Sequence, residues 1–178
     1  MTFPIKITDA PVNTDIFYNN KWKSTDFYLH NTDSEGYCCS YLYTLDKQVT
    51  ESANEALLYL LQRSVIEEEG WTDTTMAEST PESLASFILT YGYLYTAKGV
   101  DFPIEEFWNS YMGLTTGMQK EKSYSLTKNG LPIPEIDLEF HEARYIISVT
   151  NFVNKWNNWE FFFETYTHWA FFRWSTGA

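Results

Sequence analysis

The last stretch of the chain, Trp159 to Trp174, places nine aromatic residues in sixteen positions. Few arrangements can absorb such a run. Successive side chains of a β-strand point to opposite faces, so Phe161-Phe162-Phe163 and Phe171-Phe172 put large rings on both. Either both faces are covered by other elements, or one of them is a binding surface. Because an exposed aromatic strip is an aggregation hazard, burial on both sides is the expected outcome. The neighbouring run Arg144-Tyr145-Ile146-Ile147-Ser148-Val149-Thr150 also alternates as a strand does. A helical C-terminus is the alternative, since Leu138, Tyr145, Val149, Phe152 and Trp156 would share a helix face. The dominance of Val, Ile, Thr, Tyr, Phe and Trp favours strands.

Upstream, three short β-branched and aromatic runs precede residue 49: Asp15–Tyr18, Asp26–His30 and Tyr37–Leu45. Asn19-Asn20 and Asn31–Gly36 separate them, which predicts a meander of antiparallel strands. In the third run Tyr37, Cys39, Tyr41, Tyr43 and Leu45 share a face. Residues 50–112 carry helical periodicity instead. Ser52 and Glu55 form a capping-box pattern, and Ala53, Ala56, Leu57, Leu60, Leu61 and Val65 recur at helical spacing as far as Gly70. A second helix is predicted from the Thr80 cap to Lys98-Gly99. A third is predicted from near Pro103 to Gly113, presenting Ile104, Phe107, Trp108 and Tyr111. The stretch 113–134 reads as a long connection that is functional or hides a short strand near Tyr124–Leu126.

The expected fold is a single α+β domain over residues 1–178. N-terminal antiparallel strands come first, then two to three central helices, then aromatic-rich C-terminal strands. The length of 178 residues suits one domain able to bury its own core.

Few chemical motifs are present. His141-Glu142 lacks the second histidine of a His-Glu-x-x-His zinc motif, because Tyr145 holds that place. Glu164 and His168 are four apart, which on a helix would pair a carboxylate with an imidazole; on a strand they would stand more than about 10 Å apart. Serine nucleophile elbows and glycine-rich phosphate loops are missing. The adjacent Cys38 and Cys39 read as reduced, half-buried thiols in a strand, which suits the cytoplasm. No basic segment followed by a long apolar one opens the chain, and no run reaches the length of a membrane span. The chain is therefore expected to be cytoplasmic, non-enzymatic, and without cofactor or metal.

Charge is the most informative feature left. The chain has 24 acidic and 12 basic residues, a net charge of −12. That field repels nucleic acid and anionic membranes, and it favours a basic protein as partner. Residues 51–82 hold eight of the acids (Glu51, Glu55, Glu67, Glu68, Glu69, Asp73, Glu78, Glu82) against Arg63 alone, so −7 of the −12 lies there. Three consecutive carboxylates, Glu67-Glu68-Glu69, fall at the end of the first predicted helix, the end that its macrodipole makes negative. An unfavourable local choice of this kind suits a surface that meets a cation. Glu67, Glu68, Glu69, Asp73 and Glu78 are the expected partner-binding carboxylates, with Trp71 as aromatic anchor.

In physical character the chain resembles small acidic proteins that neutralise a basic enzyme of the same cell, among them the immunity proteins bacteria carry against nuclease toxins. The resemblance implies a stoichiometric inhibitor whose carboxylates cover a basic cleft. A phage-type mimic of DNA that blocks a host defence enzyme, a small-ligand binder or enzyme with an aromatic pocket, and a structural subunit are the alternative classes.

Overall fold

Strands from the two ends of the chain meet in one sheet. In the computed structural model, which describes residues 14–32, 38–68, 99–136 and 142–176, eight strands pair antiparallel throughout. They are β1 (Asp26–Thr32), β2 (Cys38–Asp46), β3 (Val100–Asp101), β4 (Tyr124–Lys128), β5 (Leu131–Pro132), β6 (Ile146–Lys155), β7 (Asn158–Thr165) and β8 (His168–Thr176). Their spatial order is β3-β6-β7-β8-β2-β1-β4-β5, so the sheet stays open at β3 and β5. The join between the N- and C-terminal strands is the nine-residue register of β2 on β8, from Cys38 opposite Thr176 to Asp46 opposite His168.

Two helices are described, α1 (Ala53–Glu68) and α2 (Ile104–Gln119), and they cover opposite faces. Parity along the strands explains how. Phe27, Tyr43, Leu45, Phe162, Trp169 and Phe171 face α1 and pack with Ala56, Leu57, Leu60 and Leu61. Tyr28, Leu42, Phe161, Phe163, Ala170 and Phe172 face α2 and surround Phe107 and Tyr111. The aromatic run thus serves two cores at once, as its doubled pattern requires. Each face is ring-rich, and burying rings of this size is the main stabilising term.

The strand choice at the C-terminus holds, with a correction. The run from Trp159 to Trp174 is not one continuous strand: it folds into the β7–β8 hairpin, whose turn lies at Tyr166-Thr167. Thr165 carries that turn, accepting the His168 amide proton on Oγ1 and donating its own hydroxyl to the His168 carbonyl. The sheet also dominates the layout more than the predicted order of blocks suggests. The run Asp15–Tyr18 is a 3₁₀ turn (Thr14–Phe17) instead of a strand. Ile16 and Phe17 are both buried in the cluster beneath α1, and a turn closed by Tyr18 N–H on the Asp15 carbonyl lets adjacent residues enter one core where a strand would split them.

Helix α1 starts near the predicted position and is described as far as Glu68, the predicted stop at Gly70 lying outside the described residues. Its cap is only half a capping box. The Glu55 amide donates to Ser52 Oγ at 3.4 Å, while the Glu55 carboxylate accepts from Thr50 Oγ1 at 2.9 Å. Helix α2 corrects the predicted stop at Gly113 by running on to Gln119. Its apolar stripe continues past the glycine through Leu114 and Met118, and that packing outweighs a propensity cost of about 1 kcal/mol. Phe107 and Tyr111 are buried as expected, with Ile104 and Trp108 packed beside them. The hidden strand near Tyr124 is β4, and Asn129-Gly130, both at positive φ, form the two-residue turn that joins it to β5. The second predicted helix, Thr80 to Lys98, lies outside the described residues.

Candidate functional site

Of the six predicted partner-binding residues, Glu69, Trp71, Asp73 and Glu78 lie outside the described residues. Glu67 and Glu68 are the last described residues of α1, and the last described turn holds no basic residue. Arg63, one turn back, reaches Glu67 Oε1 at 2.7 Å. Such an i, i+4 pair steadies a helix by a few tenths of a kcal/mol and holds Glu67 against its own surface. The other described carboxylates of the acidic stretch, Glu51 and Glu55, sit at the opposite end of α1, about 18 Å from Glu67 at 1.5 Å rise per residue.

At that opposite end the structure builds a feature the sequence did not reveal. β2 ends in a turn in which Val49 N–H donates to the Asp46 carbonyl and Gln48 N–H to Asp46 Oδ1. The turn is tied to the β7–β8 hairpin by Lys47 N–H on the Thr167 carbonyl at 2.9 Å. Between turn, hairpin and the first residue of α1 lies a hollow of about 590 Å³ lined by Lys47, Gln48, Glu51, Ala53, Glu164 and Trp169. Trp169 is its apolar wall. The indole stacks on Phe162 with centroids 5.8 Å apart and donates Nε1–H to the Thr50 carbonyl, so its position is fixed from two sides. The Lys47 ammonium lies over the same ring, 4.8 Å from its centroid, and 2.6 Å from Glu164 Oε1. Ser148 Oγ donates to the other Glu164 oxygen.

Glu164 and His168 do not pair, in keeping with the strand reading of this segment. Those residues flank a hairpin turn; Glu164 answers to Lys47, and His168 shares a hydrogen bond with Thr167. Lys47 is 117 positions from Glu164, so no local spacing could have announced the pair. Tyr166, 68% exposed, stands on the turn between the two lining residues Glu164 and Trp169. Trp156, 73% exposed, marks the opposite end of the sheet on the β6–β7 turn.

Several polar side chains are buried in the cores, His30, Ser40 and Glu160 among them. Beneath α2, His30 and Ser40 face each other across β1 and β2. His30 Nδ1 shares a hydrogen bond with Tyr124 OH, while His30 Nε2 and Ser40 Oγ have no hydrogen-bond partner among the described residues. Burial drives the His30 pKa down to about 4, so the imidazole is neutral at pH 7. On the α1 face, Glu160 is fully buried beside Arg173.

Cys38 and Cys39 are free and half-buried in β2, as expected, with Trp174 Nε1–H donating to Cys38 Sγ at 3.2 Å. Among the described residues no group of three His, Cys, Asp or Glu side chains could hold a metal ion. No described helix is long and apolar enough to cross a membrane. Comparison with protein-family models, with curated proteins and with solved structures gave no match.

Proposed function

We propose that the protein is an acidic binding protein that neutralises a basic protein partner, in the manner of an immunity protein covering a nuclease toxin. The observation that carries the reading is the charge map: a net −12, of which −7 falls in residues 51–82. The architecture is in keeping with it. With α1 and α2 on its two faces, the described sheet uses most of its aromatic residues for core, and Tyr166 and Trp156 stand exposed on its turns. A nuclease must be basic to hold phosphate, and carboxylates set against its cleft would both block the site and steer capture. Glu67, Glu68, Glu69, Asp73 and Glu78, with Trp71, are the proposed contact residues. The proposed compartment is the cytoplasm, where the toxin would otherwise act.

The test begins with capture of a partner at low salt and its identification. The reading requires a one-to-one complex with a basic protein whose activity is abolished at one equivalent. Stopped-flow mixing of the purified pair then measures the association rate. Reversal of Glu67, Glu68 and Glu69 to Lys is expected to slow association by about tenfold or more. An association rate that ignores the reversal sinks the acidic surface as the point of capture.

A further inference from the structure

The Lys47 ammonium shows what the hollow beside α1 can hold. It sits against a carboxylate and over an indole ring, the two partners a desolvated cation seeks. About 590 Å³ of space lies around it, on the scale of pockets that take organic groups. Glu51 is exposed on the rim, and no ion pair among the described residues engages it. Gln48 adds a side-chain amide to the lining.

The local charge favours a cation. Asp46, Glu51, Glu55 and Glu164 surround the hollow and its turn, against the ammonium groups of Lys47 and Lys21, the latter 3.3 Å from the Val49 carbonyl. Four negative charges against two leave −2. The positive end of α1 opposes this by about half a charge, and the Ser52 hydroxyl already takes up its Glu55 amide.

We infer that the hollow is a seat for a cationic side chain, arginine above all, presented by a basic protein. The incoming guanidinium pairs with Glu51 and the Gln48 amide oxygen and competes with Lys47 for Glu164. Tyr166 on the neighbouring turn packs against the segment that carries it. Arginine fits better than lysine because its planar fork pairs with a carboxylate through two donors while its face lies on an aromatic ring. This inference rests on the reading of the partner as a basic protein, and it adds a second contact at the end of α1 opposite Glu67.

The probe is N-acetylarginine amide, with the neutral citrulline counterpart as control, titrated into the full chain and followed by ¹H–¹⁵N NMR. Saturable shifts are expected at the Gln48 and Glu51 amides and the Trp169 indole, with none from the citrulline compound. Glu51→Gln, an exposed change that should leave the fold intact, weakens probe binding by about threefold or more. Lys47→Met removes the internal competitor and tightens it by a similar factor. Absence of saturation up to about 50 mM, or equal shifts from the neutral control, overturns the inference. So does a Glu51→Gln variant that binds as the parent does, whatever Lys47→Met does to folding. With a partner in hand, Glu51→Gln combined with Tyr166→Ala should speed dissociation about threefold or more. If that double variant dissociates unchanged while reversal of Glu67, Glu68 and Glu69 still slows association, the seat fails and the inhibitor reading stands. If the probe seats but the protein meets no basic partner, the inhibitor reading fails instead.

Discussion

Glu160 on β7 stands directly opposite Arg173 on β8, with 3.3 Å between Glu160 Oε1 and Arg173 Nη2, and the glutamate has no exposed surface at all. The contact is an ion pair, and among the described residues neither carboxylate oxygen has a hydrogen bond of good geometry. Burial therefore raises the Glu160 pKa, and the adjoining guanidinium only partly offsets it.

A carboxyl whose pKa is raised on folding stabilises the folded state fully below its unfolded value of about 4.5. That contribution is lost as pH rises through the folded pKa. Glu160→Gln cannot titrate. Its stability relative to the parent should thus improve steadily as pH is raised from about 4 toward 8. Arg173→Met takes away the cation beside Glu160 and should cost about 3–5 kcal/mol at pH 7. Urea unfolding followed by tryptophan fluorescence at several pH values checks both. A parent-to-variant difference that stays constant with pH would show that Glu160 titrates as an ordinary carboxylate.

His30 predicts the opposite slope. Its pKa falls from 6.5 to about 4 on burial, so the unfolded chain binds the proton first as pH drops. The contribution is fully present above about pH 6.5 and is lost on the way down to about pH 4, a total on the order of 3 kcal/mol. His30→Leu should flatten that part of the pH–stability curve. The His30 ring resonances should also show no titration between pH 8 and about 5; a midpoint near 6.5 would mean the ring is hydrated.

Legibility in the sequence followed the range of the interactions. The β1–β2 pair, α1 and the strand character of the C-terminus were readable because side-chain period and β-branching act within a few residues. Ser52 shows the limit even there: the cap was visible, but the Glu55 carboxylate turned to Thr50, which is not part of the capping pattern. Asp15–Tyr18 misled because its composition suits a strand while its burial demands that Ile16 and Phe17 point into one core. The hollow was hidden altogether. Its lining comes from the segment between β2 and α1, the first residue of α1, and the β7–β8 hairpin, and the Lys47–Glu164 pair exists only once β8 is paired with β2 and β7. The charge imbalance of residues 51–82 could be counted from the sequence, whereas the Arg63 contact that restrains Glu67 depends on which face of α1 is left for solvent.

The two cores should unfold together. Phe107, 1% exposed, touches Tyr111, Phe161, Phe163 and Phe172, with ring centroids 5.0–6.5 Å away. Phe107→Ala should cost about 3–5 kcal/mol, and Leu60→Ala in the opposite core about 2–5 kcal/mol. The strands between them have one backbone and two faces, so each variant should shift a single transition seen alike by far-UV circular dichroism and tryptophan fluorescence. Separate transitions would mean that one helix detaches without the sheet.

Two glycines should respond to the same substitution with opposite sign. A Cβ added to Gly99 would meet Thr150 Cγ2 at 2.7 Å and Phe152 Cε1 at 3.0 Å, where the chain enters edge strand β3 beside β6. Thr150 is buried and held in the β6–β7 register, so it has little room to retreat. Gly99→Ala should cost about 1–3 kcal/mol through overpacking, and it should loosen β3 on its partner. Gly113 is the reverse case: it is exposed in mid-helix, and nothing lies within 4 Å of an added Cβ. Alanine there reduces the freedom of the unfolded chain without a clash, so Gly113→Ala should stabilise by about 0.5–1 kcal/mol. Chemical denaturation of both variants settles the sign. A destabilising Gly113→Ala would mean that α2 does not run unbroken through residue 113, and that the stop at this glycine was the correct reading of the sequence.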